Sequence, residues 1–102
     1  MEDRVLRKLF LGFIHIHILH HAAEHPVYGA WMVEELKGHG YEISAGTLYP
    51  ILHGMEKDGL LVRTNETVDG HVRKNYATTE KGLLILKEAR QKAYELFKEI
   101  KE

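Results

Sequence analysis

Apolar side chains recur along this chain at three- and four-residue steps in four blocks, and a stretch of alternation separates the third block from the fourth. In residues 4–24, Leu6, Leu9, Phe10, Phe13 and Ile14 fall on one side of a helix. The middle of that block, Ile14-His15-Ile16-His17-Ile18, alternates like a strand, but the spacing around it and the stop at Pro26 select a helix. A helix this apolar around its circumference has to be covered on more than one side. Residues 29–39 predict a second helix with Met32, Val33 and Leu36 inward, ended by Gly38 and Gly40. Residues 44–58 predict a third, with Ser44 as N-cap, a stripe of Leu48, Ile51, Leu52 and Met55, and a stop at Gly59. Pro50 falls inside it. A proline costs about 3 kcal/mol deep in a helix and little in the first turn, which leaves open a later start or a kink.

Strand-like alternation follows in residues 60–64 and 71–78, around a loop from Asn65 to Gly70 whose Asp69-Gly70 pair is a turn signal. Together they make a hairpin over residues 60–78. From Thr79 a last helix covers residues 79–100, striped by Leu83, Leu86, Ala89, Ala93, Leu96 and Ile100. The fold class is mainly α with a small β-hairpin (α+β). It reads as a winged helix-turn-helix with an N-terminal helix and a C-terminal dimerisation helix, in one domain over residues 1–102.

The chemistry lies on the free face of the third helix, where Gly46, Thr47, Tyr49, His53 and Lys57 are small or polar. A short helix braced by two others can enter the major groove by its N-terminal half, and its first amides suit a backbone phosphate. The wing carries His71-Val72-Arg73-Lys74-Asn75-Tyr76, without an acid. Arg73 and Lys74 point to opposite sides of a strand, so one of them meets phosphate squarely. The alternative for this string is a solvated edge strand protected by its charges.

Composition changes the picture little. Of 102 residues, 44% are hydrophobic and 28% charged, ordinary for a globular chain, and the formal net charge of -1 leaves any DNA affinity to local charge on one face. The chain has no cysteine, which excludes disulfides and thiolate metal sites and fits a reducing cytoplasm. Without a long apolar run or a leader-like start, neither a membrane span nor a secretion signal is expected.

Three strings carry a resemblance: Pro26-Val27-Tyr28-Gly29, Gly46-Thr47-Leu48-Tyr49-Pro50-Ile51-Leu52 and Glu56-Lys57-Asp58-Gly59-Leu60-Leu61. With Arg73-Lys74-Asn75-Tyr76-Ala77-Thr78-Thr79-Glu80-Lys81-Gly82, they resemble the PadR family of transcriptional regulators, in its short subgroup. The resemblance implies a cytoplasmic winged-helix homodimer, not an enzyme, that represses transcription at a palindromic operator in double-stranded DNA. It implies DNA contacts from Ser44, Thr47, Tyr49, His53 and Lys57 on the third helix and from Arg73, Lys74 and Tyr76 on the wing.

The last helix has a longer apolar stripe than one small domain can cover, so packing it on the first helix of a second copy is expected. Phe10, Phe13, Leu86, Ala93, Leu96, Phe97 and Ile100 are the expected interface. Tyr94 and Phe97 with Phe10 and Phe13 offer a cavity for a small-molecule effector, against plain core packing as the blander reading.

Five of the eight histidines fall between His15 and His25. His17, His21 and His25 stand at i, i+4 and i+8 on one helix face, a spacing that can chelate a divalent metal, which suggests a metal-sensing repressor. His21-Ala22-Ala23-Glu24-His25 also fits the H-x-x-E-H string of inverse zinc proteases, the rival reading as a small zinc hydrolase. His39, His53 and His71 stand alone; His53 is a candidate base or phosphate contact and the other two are expected to face solvent.

Overall fold

Side-chain caps fix where three of the helices begin. Asp3 accepts the Val5 N–H at 2.7 Å to open α1 (Arg4–Glu24), and Ser44 accepts the Thr47 N–H at 3.2 Å to open α3 (Ala45–Lys57). Thr79 accepts the Gly82 N–H at 3.0 Å to open α4 (Glu80–Ile100). Each bond satisfies an amide that the first turn leaves without a helical partner. α2 (Gly29–Gly38) has no such cap and leaves directly from a two-residue strand, β1 (Val27–Tyr28). The structure, a computed structural model, describes residues 3–102, so Met1 and Glu2 of the expected 1–102 domain lie outside the described residues.

α3 starts at Ala45 and stays helical through Pro50, which settles the start left open above. Pro50 removes the amide that would bond the Gly46 carbonyl, and both residues are exposed, so water can serve that oxygen. The helix ends in a Schellman motif: Gly59, at φ 79°, donates to the Glu56 carbonyl at 3.0 Å and Leu60 to the Met55 carbonyl at 2.9 Å.

β2 (Leu61–Val68) and β3 (His71–Thr78) pair from Leu61↔Thr78 to Val68↔His71 around Asp69-Gly70, whose φ values of 50° and 78° make a type I′ turn. Residues 65–68, expected in a loop, are therefore strand. Their side chains are solvated beyond the core, so no alternation marks them. β1 adds a third strand, Val27 opposite Tyr76 and Tyr28 opposite Asn75, giving the order β1-β3-β2.

The core joins Ile14, Ile18, Leu19 and Ala22 of α1 to Met32 and Leu36 of α2, Leu48, Leu52 and Met55 of α3, and Val27, Leu61, Tyr76 and Leu86. Two expectations are corrected here. Tyr76, expected on the wing surface, is fully buried, because β3 alternation places it among the helices opposite Val27. Leu86, expected at a dimer joint, is 6% exposed within its own chain. The first turns of α4 dock on α1 and the sheet. At this junction Thr78 Oγ1, at the end of β3, donates to the Leu19 carbonyl of α1 at 2.8 Å, and Lys81 Nζ of α4 donates to the Asp58 carbonyl at the end of α3 at 2.8 Å. From Arg90 onward α4 is exposed.

The Tyr76 hydroxyl has no hydrogen-bond partner among the described residues, and burial, reinforced by Glu56 and opposed by Arg63, pushes its pKa above the usual tyrosine value of 10.0. Tyr76→Phe is accordingly expected to hold or raise stability at pH 7, by up to about 1 kcal/mol, since it removes a buried polar group without breaking a bond. Above pH 10 the unfolded chain loses this proton before the folded one, so stability falls as pH rises toward the folded pKa. The phenylalanine variant should lack that part of the slope. Urea melts at pH 7 and pH 10.5 check both; a loss above about 1 kcal/mol at pH 7 would show that the hydroxyl is bonded in solution.

Candidate nucleic-acid interface

The core stripe of α3 leaves Gly46, Thr47, Pro50, His53, Gly54 and Lys57 exposed along its other side. Two glycines and a proline make this face low, so another backbone can approach it closely. Ser44 spends its hydroxyl on the cap, accepting the Thr47 N–H and donating to Thr47 Oγ1 at 3.2 Å, which fixes the threonine side chain at the start of the helix. Lys57 is ten residues further on, about 15 Å along the axis, and belongs to the far end.

An open groove separates α3 from the wing, lined among others by Tyr28, Tyr49, His53, His71, Arg73 and Lys74. Tyr49 is half-buried, its ring lying across Gly29 so that a Cβ there would sit 2.5 Å from the phenol oxygen. The Tyr49 and His53 rings are 6.1 Å apart. On β3, Lys74 shares the face of Tyr76 but lies beyond the core and is exposed. Arg73 is on the opposite face, its guanidinium 3.9 Å from the centre of the Tyr28 ring and 4.0 Å from Glu66. Glu66 also accepts from Asn75 Nδ2 at 3.3 Å. Arg73 is thus held flat against the sheet while Lys74 projects.

The structure brings Tyr49, His53, Arg73 and Lys74 together around one groove, puts Ser44, Thr47 and Lys57 on the exposed length of α3, and removes Tyr76 to the interior. Sequence reasoning missed Tyr28, the platform for Arg73; its place beside Gly29 in the Pro-Val-Tyr-Gly string was the available signal.

The histidines are also rearranged. His25 follows the last residue of α1 in extended conformation, with Nδ1 3.1 Å from the Pro26 carbonyl and its ring against Trp31, so it leaves the face of His17 and His21. His21 and His25 accordingly do not share a helical face as the zinc-protease string requires. His39, expected alone, lies beside His17 and His21 instead.

Helices stacked behind an exposed reading helix, followed by a two-stranded wing, define a winged helix-turn-helix protein. The model of the transcriptional regulator PadR-like family matches residues 18–88. The chain belongs to that family of transcriptional regulators, whose members bind DNA. It is 46% identical over 95 residues to the transcriptional regulator Rv3488 of Mycobacterium tuberculosis, covering 93% of this chain and 89% of the relative. The crystal structure of a PadR family transcriptional regulator from Eggerthella lenta is similar at a TM-score of 0.83 and 32% identity, over 94% of this chain and 85% of that one. A PadR-like transcriptional regulator from Bacillus cereus gives 0.82 and 30%, over 91% and 92%. Among the described residues, no helix is long and apolar enough to cross a membrane.

Proposed function

We propose that this regulator is a homodimeric repressor that reads a palindromic operator with Thr47 and His53, grips the backbone with Tyr49, Lys57, Arg73 and Lys74, and is released by a small-molecule effector. The observation that carries the reading is the low exposed face of α3 flanked by a groove with Lys74 on its wing side. Dimerisation is supported by apolar surface that the chain leaves uncovered on its first and last helices: Leu6, Leu9, Phe10 and Phe13 on α1, and Leu96, Phe97 and Ile100 on α4. A two-fold joint through these helices covers both and presents two reading helices about 34 Å apart, one duplex turn. For the effector, the open groove between α1 and α4 lined by Phe13, Ile16, His17, Leu86, Ala89 and Ala93 is the candidate. It replaces the cavity of Tyr94 and Phe97 with Phe10 and Phe13, none of which except Phe13 lines it.

Selection of bound fragments from random duplex DNA tests the reading and should return an inverted repeat. On that site Lys74→Ala is expected to weaken binding to all duplexes alike and to lower the slope of log affinity against log salt by about 1 per protomer. Thr47→Ala and His53→Ala should instead relax preference at one or two base pairs per half-site, by about 1–3 kcal/mol each. Affinities and base preferences of all three variants unchanged from those of the native chain would dismiss this placement.

A further inference from the structure

We propose that His17, His21, His39 and Glu35 form a site for a divalent transition metal, zinc being the best fit, that ties α1 to the end of α2. This goes beyond DNA reading and does not depend on it. His17 and His21 stand one turn apart on α1, Glu35 lies in the last turns of α2, and His39 is the residue that caps it. One ring nitrogen from each of the three histidines lies within 4.8 Å of the others. The His17 and His39 rings are stacked at 4.4 Å. Glu35 Oε1 is 3.5 Å from His21 Nε2 and 3.5 Å from His39 Nε2.

These separations decide the ligand class. With ligands at about 2.0–2.1 Å, the edge of a tetrahedral zinc site is about 3.4 Å. The two glutamate–imidazole distances already match it, and closing a 4.8 Å pair takes about 1.4 Å, within the reach of side-chain rotation. A second observation points the same way: His21 Nε2 is buried and makes no hydrogen bond among the described residues, despite lying at 3.5 Å from the carboxylate. A buried polar atom left in this state is costly, and a metal ion is the partner that its lone pair fits.

The donor set narrows the ion. Three imidazoles and one carboxylate suit zinc, nickel, cobalt or copper(II), whereas magnesium and calcium require oxygen. Burial, and then the neighbouring imidazoles of His39, His21 and His20, lower the His17 pKa, with Glu35 opposing. Burial lowers that of His21 too, with His20 and His39 adding to it and Glu35 and Glu24 opposing. Both shifts favour the neutral ring, the form that coordination needs. His39 and Glu35 remain 44% and 35% exposed, which gives an ion a way in. With Glu35, which lies beside His21 and His39, turned in as a fourth ligand, the coordination sphere would be closed, the arrangement of a structural or sensing site rather than of a hydrolase.

A competing trio, His20, His21 and Glu24, shares His21 but lies within α1 alone. The test uses the full chain stripped with a chelator and titrated with Co²⁺ alone. One equivalent per chain should bind with the visible bands of tetrahedral Co²⁺, and Zn²⁺ should displace it. His39→Gln, a change at an exposed helix end that spares the core, is expected to abolish the bands and weaken affinity about 100-fold. Glu24→Gln and His25→Gln should leave both unchanged. Failure of the native chain to bind Co²⁺ tighter than about 10 μM, or loss of the bands in Glu24→Gln with retention in His39→Gln, overturns the assignment.

Discussion

Replacing Phe97 and Ile100 together by glutamate is expected to convert the proposed dimer into a well-folded monomer. Both side chains are more than 60% exposed in the isolated chain, at 61% and 66%, so their loss removes nothing from its core. Burying a side chain of this size against a partner is worth about 1.5–3 kcal/mol, and a two-fold joint counts each substitution twice. Removing that gain and asking a carboxylate to leave water raises the dimer dissociation constant by at least about a thousandfold, at 1.4 kcal/mol per decade. Sedimentation at micromolar concentration reads the mass, and circular dichroism should show unchanged helix content. Operator affinity should collapse with dimerisation, because each protomer alone keeps only half of the phosphate contacts. If the double variant stays dimeric, the joint lies on another face.

The second large effect concerns Gly82, where α4 meets the sheet. A Cβ there would run into the Leu60 carbonyl oxygen and approach Thr78 Cγ2 to 2.7 Å. The obstacle is backbone, and Leu60 O is already occupied by the Thr79 N–H at 3.0 Å, so it cannot swing aside. Alanine is favoured over glycine within a helix by up to about 1 kcal/mol, whereas forcing a methyl into a packed site costs about 1–3 kcal/mol or more. The clash wins. Gly82→Ala should lose about 2 kcal/mol, and the midpoint of thermal unfolding should fall by roughly 10 °C, at about 4–8 °C per kcal/mol for a domain of this size. Gly54→Ala is the control of opposite sign: it has open space around it on α3 and should gain from propensity alone. A stabilised Gly82→Ala would mean that α4 docks differently in solution.

Fold class was legible because most of its cues are local. The stripes of α2 and α3, the caps at Ser44 and Thr79 and the Asp69-Gly70 turn each lie within a few residues of the structure they specify. The outer end of the hairpin was not. Asn65, Glu66 and Thr67 are exposed on both sides of β2, so nothing in their polarity distinguishes strand from loop. Val27 and Tyr28 are too few to show a period, and only pairing with β3 makes them a strand. Tyr76 was misplaced by its basic neighbours, although counting in twos from Thr78, which abuts α1, would have turned it inward. His39 is far in sequence from His17 and His21, and no spacing rule links residues that only tertiary packing joins. Ser44 and Thr47 could be located from the cap, but not the bond between their hydroxyls.

The shallow anchorage of α4 has a geometric result. Only its opening turns grip the rest of the chain, yet the helix extends for about 31 Å. A swivel of about 10° at that root carries its tip through roughly 5 Å, a displacement larger than the 3.4 Å step between neighbouring base pairs. Modest repacking beside Leu86 would thus change how far apart the two copies of the proposed dimer hold their α3 helices, as the joint of a pair of dividers sets the gap between its points.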